Sequence, residues 1–419
     1  MISSPRHGLF CNMQQPDVIP HLFRTEFSKI TAVLCKNFGI EHLQLAEDIA
    51  SETFVAALET WSYKGLPENP VAWLYGVAKN KARNHFRRQN LYQHKIAPNI
   101  RADGPEEQPD IDLSEKNITD SQLQMLFAIC DPCIPAEAQI GLALRILCGF
   151  GIDEIATAFL SNKETINKRL FRAKEKLREG KAAIVFPPPA GISNRLENVL
   201  TSLYLLFNEG YYSESSDEVL REELCREAMR LIQLLLNNPA TDLPPVNALY
   251  ALMLFHASRF PARKNDRGEL LLYAEQDPSL WDTEMISSGV FFLHKASQGN
   301  NLSRYHLEAG IAYWHTVKTA GSEKWENILQ LYNHLLQLHY SPVAALNRTF
   351  ALFKARGKEA AIIEAEKLQL NNNHYYFMLL GELYAENDPA KARGFFEQAL
   401  SLAKTKPDQL AISKRISLI

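Results

Sequence analysis

The sequence predicts an all-α protein: two small helical domains, the second a helix-turn-helix, joined by an acidic linker, with a large α-helical repeat-like domain behind them. Three observations predict it. Apolar residues recur at three- and four-residue spacing along most of the chain, the period of one helix face. Alternating β-branched runs, which mark strands, are scarce. Two stretches interrupt the helical pattern: residues 98–117, with three prolines, one glycine and six acidic residues, and the run Pro187-Pro188-Pro189. A chain of 419 residues exceeds one ordinary core. The expected division is a first domain at 16–97, a linker at 98–118, a second domain at 119–182, a stiff hinge at 183–191 and a helical extension at 192–419.

Composition narrows the class. Hydrophobic content of 46% and charged content of 22% suit a soluble globular protein, and a net charge of -3 excludes a uniformly basic coat. No stretch approaches the roughly 18 to 20 uninterrupted apolar residues of a membrane span. Residues 1–15 lack the apolar core of a signal peptide, so the cytoplasm is the expected compartment and no membrane partner is expected. Six irregularly spaced cysteines fit a reducing environment. Cys130 and Cys133 have the spacing of a redox or metal pair, yet no second ligand pair follows, and they read as structural. Without a phosphate-binding glycine loop, a dinucleotide fingerprint or a nucleophile elbow, neither an enzyme nor a cofactor or metal is expected.

The first domain carries segregated charge. Residues 41–59 form a helix with five acidic residues and no Lys or Arg. Residues 69–102 carry seven Lys or Arg and no acid. Asn69 as cap and Pro70 at the first helical position start this basic helix. Leu74, Val77, Ala78 and Ala82 make its inward stripe, leaving Lys79, Asn80, Arg83, Asn84, Arg87 and Arg88 on other faces. Cations beside Trp73, Tyr75 and Phe86 have the chemistry of single-stranded DNA binding, in which charge tracks phosphates and rings stack on bases. A solvated basic helix accounts for the charge equally well, and Trp73 suits the core as well as a base.

The second domain carries the helix-turn-helix. Residues 151–159 make a short helix, Leu160-Ser161-Asn162 the turn, and residues 163–178 the second helix. Residues 161–181 hold eight basic and three acidic residues. Ile166, Leu170, Ala173 and Leu177 pack inward. Lys163, Thr165, Asn167, Lys168, Arg169 and Arg172 remain for a DNA groove, where Arg and Lys pair with guanine, Asn with adenine, and the rest neutralise phosphates.

In the extension, Phe377, Leu380, Gly381, Tyr384, Ala392, Phe396 and Ala399 follow the large-and-small spacing of a tetratricopeptide repeat with a loop one residue short. A generic helical hairpin gives the same spacing. Asn208, Glu209, Gly210, Tyr211 and Tyr212 form a polar-aromatic cluster, either a contact surface or a helix end with Gly210 in the left-handed conformation.

Taken in order, these pieces resemble an extracytoplasmic-function (ECF) RNA polymerase sigma factor of the sigma-70 superfamily. Ala46-Glu47-Asp48-Ile49-Ala50-Ser51-Glu52-Thr53-Phe54 is similar to the signature of the helix that grips the polymerase clamp. Ala72-Trp73-Leu74-Tyr75-Gly76-Val77-Ala78-Lys79-Asn80 resembles the stretch that meets the melted −10 element. Glu154-Ile155-Ala156 with Thr165-Ile166-Asn167-Lys168-Arg169-Leu170-Phe171-Arg172-Ala173 resembles the helix-turn-helix that reads the −35 element. Residues 203–211 (LYLLFNEGY), the stretches MLFHASRFPAR and GELLLYAEQDPSLWD, and SPVAALNR resemble the ECF subgroup with a tetratricopeptide-like C-terminal extension. Lys163-Glu164 departs from the small or apolar residues common there, so the promoter sequence does not carry over.

The resemblance implies a division of labour. Glu47, Asp48 and Glu52 meet the clamp of core RNA polymerase. Glu68, Asn69, Trp73, Asn80, Arg83, Asn84, Arg87 and Arg88 serve the melted −10 DNA, where a base flips into a pocket built by residues 64–69. Lys163, Thr165, Asn167, Lys168, Arg169 and Arg172 serve the −35 duplex, and the flap region of core RNA polymerase is expected as a contact beside the clamp. The acidic linker lies in the RNA-exit path. The fused extension implies control in cis, through an intramolecular contact with the first two domains or a recruited regulator. The competing reading is a stand-alone helix-turn-helix regulator with a helical-repeat sensor, which needs neither the acidic helix nor the basic single-strand helix.

Overall fold

The computed structural model describes residues 15–96, 111–159, 161–180, 184–211, 222–263, 271, 273–299, 301–318 and 321–419. Among the described residues there are eighteen α-helices and no strand, and no helix is long and apolar enough to cross a membrane. The chain divides into two compact units, residues 1–202 and 203–419.

In the first unit α1 (Gln15–Phe38), α2 (Leu43–Lys64) and α3 (Pro70–Ile96) pack on one another. Gly65, at φ 78°, ends α2 in a conformation that a side chain disfavours. Asn69 then caps α3, accepting from Ala72 N at 3.0 Å. Along α2, Leu43, Ala46, Ile49, Ala50, Phe54, Ala57 and Trp61 are buried at helical spacing. Fully burying a residue such as Phe54 contributes about 1.5–3 kcal/mol.

The linker expected at 98–118 falls partly outside the described residues. Its described end is built: Ile111 is fully buried, and Ser114 caps α4 (Glu115–Ile129). Hydrogen bonds from Ser114 hold the Asp112 carboxyl below its usual range. Then come α5 (Ala136–Leu142), a wider i→i+5 turn over Ala143–Leu147, α6 (Ile152–Ala158) and α7 (Lys163–Glu179). The α6–α7 junction includes Leu160, which lies outside the described residues.

These two helical groups form one body, a feature the sequence reading lacked. α1 packs along α4 and on the Ala143–Leu147 turn. Lys36 Nζ donates to Asn117 Oδ1 at 2.8 Å, and Gln122 Nε2 donates to Ser28 Oγ at 3.3 Å. Gly149 sits against the backbone of α1, where an added Cβ would stand 3.3 Å from Arg24 O, and its φ of 72° also favours glycine.

Pro189 is not part of a hinge but the first residue of α8 (Pro189–Tyr211), as suits a proline at a helix start. Gly210 lies inside α8 rather than in a left-handed end, and Tyr211 is buried. Tyr212 is outside the described residues.

The second unit continues through α9 (Glu222–Leu236), α10 (Pro244–Ala257), α11 (Thr283–Ala296), α12 (Arg304–Thr316), α13 (Ser322–Leu338), α14 (Pro342–Arg356), α15 (Lys358–Leu368), α16 (His374–Tyr384), α17 (Pro389–Leu402) and α18 (Lys406–Ile416). α10 is apolar nearly all round and is buried against α9, α11 and α12. From α12 onward, most helices pack on the next one in the chain. In the α16–α17 hairpin Ala392, Phe396 and Ala399 are fully buried. Gly381 lets Phe396 approach so closely that an added Cβ would lie 2.6 Å from its ring.

Candidate nucleic-acid interface

α3 presents the basic face. Leu74, Ala78 and Ala82 are fully buried against the other helices, while Val77 is only half-buried. Asn80, Asn84, Arg87 and Arg88 are exposed and Arg83 is half-buried. Asn80, Arg83, Asn84 and Arg87 line an open hollow of about 320 Å³. Among the described residues the buried Arg83 Nε has no hydrogen-bond partner. Glu68 and Asn69 are exposed at the start of α3.

The aromatic side chains divide differently from the sequence expectation. Trp73 is half-buried and packs edge-on against Trp61, ring centroids 5.2 Å apart. Tyr75 turns to α1, donating to Glu26 Oε2 at 2.5 Å. Phe86 packs on Phe38 with centroids 4.0 Å apart. Tyr75 and Phe86 therefore tie α3 to α1, and the exposed surface is made of amides and guanidinium groups. An apolar ring gains more from covering a neighbouring helix than from facing water, and charge patterning along one helix does not reveal that neighbour.

The three acidic candidates of α2 have three different surroundings. Asp48 is exposed and accepts from Gln44 Nε2 at 3.1 Å. Glu52 is exposed and pairs with Lys81 of α3 at 2.9 Å. Glu47 is 3% exposed. Arg145 Nε lies 3.2 Å from one of its oxygens, and Lys174 of α7 pairs with the other. In this arrangement Glu47 faces no external partner. Arg145 and Lys174 are residues that the sequence reading missed. The four acidic residues of α2 look alike in sequence, and only the fold separates the one that is covered.

α7 carries the second basic face. Asn162 caps it, accepting from Thr165 N at 2.7 Å. Ile166, Leu170, Ala173 and Leu177 are its buried residues, as the spacing predicts. Lys163, Thr165, Asn167, Lys168 and Arg172 are exposed. Lys163 pairs with Asp153 of α6 at 2.6 Å. Arg169 is half-buried, paired with Glu137 of α5 at 3.0 Å. Lys168 and Arg172 thus stand one turn apart on the open face, with the exposed ring of Phe171 beside them.

Arg24 of α1 pairs with Glu154 at 2.6 Å, and Glu154 also accepts from Gly151 N at 2.7 Å to close the start of α6. Burial pushes the Cys130 thiol up to about 12 and the Cys133 thiol up to about 11, so both stay protonated near neutrality. Among the described residues no group of His, Cys, Asp and Glu is arranged to hold a metal.

Comparisons with known proteins bear on both units. Residues 33–92, which span the end of α1, α2 and most of α3, match sigma-70 region 2. Residues 195–297 match a family of unknown function (DUF6596). An uncharacterized protein of Rhizobium meliloti (strain 1021) is 35% identical over 370 residues, 86% of this chain and 87% of that protein. RNA polymerase sigma factor YlaC of Bacillus subtilis (strain 168) is 29% identical over 170 residues, 40% of this chain and 94% of that protein. RNA polymerase sigma-H factor of Pseudomonas aeruginosa is 25% identical over 140 residues, 32% of this chain and 72% of that protein. No solved structure matches the chain.

Proposed function

The chain belongs to the same family as the uncharacterized Rhizobium meliloti protein, and on that premise we propose that it is a transcription initiation factor of the ECF sigma type. It binds core RNA polymerase in the cytoplasm, directs it to promoters and holds the opened −10 strand, while the polymerase supplies the chemistry. The observation that carries this reading is the hollow on α3: Asn80, Arg83, Asn84 and Arg87 converge within the segment that matches sigma-70 region 2. Amide groups suit base edges, guanidinium groups suit phosphates, and the buried Arg83 Nε lacks an acceptor that nucleic acid would supply.

In this reading Glu68, Asn69 and Trp73 flank the −10 strand. Lys163, Thr165, Asn167, Lys168, Arg169 and Arg172 of α7 face the −35 duplex, and of these Lys168 and Arg172 need no rearrangement to reach phosphate. Asp48 and Glu52 meet the clamp as they stand. Glu47 joins them only after its pairs with Arg145 and Lys174 open, which makes the packed form of unit 1 a resting form. The second unit, with its tetratricopeptide-like hairpin, modulates the activity in cis.

Crosslinking of the full chain to core RNA polymerase tests the assignment. With a photoreactive group at position 48 of α2, the polymerase subunit that carries the clamp is the expected product. A chain that retains promoter duplex but gives no crosslink to core is instead a stand-alone helix-turn-helix regulator.

A further inference from the structure

The chain after α7 is built into unit 1, although the sequence reading places it in a hinge and in the extension. Phe186 packs edge-on against Phe127 of α4, ring centroids 5.6 Å apart, and Ile184 is buried. Along the first half of α8, Ile192, Leu196, Val199 and Leu200 are buried at helical spacing. The division between the two units falls inside α8, after Ser202. Two polar contacts fasten this half of α8 within unit 1. Ser202 Oγ donates to Gln139 Oε1 of α5 at 2.7 Å. Arg195 Nη2 lies 3.5 Å from Asp131 Oδ2, in the turn between α4 and α5.

Gln139 and Ser202 are 5% and 3% exposed. Gln139 Nε2 donates to Asp131 O at 3.0 Å and to Ile134 O at 2.9 Å. A primary amide has two N–H donors, and two carbonyls take both here, so the orientation of the amide is fixed and its oxygen is left for a donor. Ser202 is that donor, with its hydroxyl also 3.0 Å from Asn198 O, one turn back on α8. A buried amide oxygen that loses its donor is costly, so this contact ties α8 to α5 more specifically than apolar packing does.

α5 in turn holds α7. Glu137 pairs with Arg169 at 3.0 Å. Gly141 lets Leu170 approach so closely that an added Cβ would stand 2.9 Å from Leu170 Cδ2. Glu137, Gln139 and Gly141 lie within one seven-residue helix, so a shift of α5 carries with it the middle of α7, between Lys168 and Arg172. A binding surface works only while its side chains are held to within about 0.5 Å. We propose that Gln139 and Ser202, aided by Arg195, are positioning residues for DNA reading: by docking the first half of α8 on α5 they set α7 for the −35 duplex. This rests on the sigma-factor reading of α7. The first half of α8 then belongs to the DNA-binding unit, and the regulatory extension begins after Ser202.

The test is retention of two probes by the full chain bound to core RNA polymerase. The start site of a run-off transcript divides the chain's own upstream region into a duplex of its −35 half and the non-template single strand of its −10 half. Ser202→Ala strands the Gln139 oxygen, and Arg195→Ala removes a half-exposed contact without emptying the core. Ser202→Ala is expected to weaken retention of the duplex by about fivefold or more, and Arg195→Ala by less. Retention of the single strand stays at the wild-type level for both. The slope of log affinity against log salt also stays, because neither variant removes a phosphate contact. If Ser202→Ala does not fold, Arg195→Ala decides. The proposal is overturned if the folded variants retain the duplex as the wild type does. It is equally overturned if single-strand retention falls in step, which marks a loss of fold, or if Arg195→Ala lowers the salt slope by about one, which marks a direct phosphate contact. A wild type that retains neither probe with core polymerase overturns the sigma-factor reading itself, and the proposal with it.

Discussion

Arg145 Nε stands 3.2 Å from Glu47 Oε1 and, with Lys174, closes the acidic helix of the first helical group under the second. Glu47 has 4% side-chain exposure, against 22% for Arg145 and 20% for Lys174. The carboxylate is thus the committed partner, and its two cations keep some contact with water. Such a pair is costly to break from one side, because the buried charge stays behind.

Lys174→Ala removes one of the two partners of Glu47 and is expected to lower unfolding free energy by about 1–3 kcal/mol. Urea denaturation followed by circular dichroism reads this. If Glu47 serves the clamp, the same variant binds core polymerase more tightly than the wild type, so stability and affinity move in opposite directions. Equal or weaker affinity would show that Glu47 does its work where it is.

Arg172→Ala and Lys168→Ala alter exposed side chains of α7 that form no ion pair among the described residues, so each is expected to change stability by less than about 0.5 kcal/mol. Each lowers promoter affinity, and the slope of log affinity against log salt drops by about one. Arg169→Ala differs, because Arg169 also pairs with Glu137 on α5. A filter-binding series over salt concentration, run on the holoenzyme, distinguishes them.

Gly381→Ala places a Cβ where the Phe396 ring already sits, at 2.6 Å. Overpacking of this kind costs about 1–3 kcal/mol. Phe396→Ala in the same contact empties a fully buried site and costs about 3–5 kcal/mol. Differential scanning calorimetry is the check. Nearly unchanged melting for both variants would mean that the α16–α17 contact contributes little to unit 2.

Acidification destabilises unit 2 through its imidazoles. Burial, then Arg259 and Lys324, hold His315 down at about 3, and burial with Arg259, Arg263 and His315 holds His256 well below 6.5. The unfolded chain therefore binds more protons than the folded one between about pH 3 and pH 6.5. Stability from neutral His315 is complete above that range and is lost as pH falls through it, by about 1.4 kcal/mol per pH unit for each proton. Melting curves from about pH 8 to about pH 5 should show the loss, and His315→Gln should flatten it.

Much of the helix framework is legible in the sequence, because spacing and caps are local. Ile166, Leu170, Ala173 and Leu177 are buried on α7, and Asn69 and Asn162 cap α3 and α7, each for reasons contained within a few residues. What faces what across helices is not local. Tyr75 and Phe86 read as base-stacking candidates, yet Glu26 and Phe38 of α1 claim them. Glu47 reads like its acidic neighbours until Arg145, far along the chain, is placed beside it.

Run-off transcription from the chain's own upstream region, with core RNA polymerase and with or without the full-length protein, tests the central claim most directly. The account predicts a discrete transcript only when the protein is present, and its loss with Asn80→Ala/Asn84→Ala on α3. No protein-dependent transcript, from a preparation that still retains promoter duplex, would contradict it.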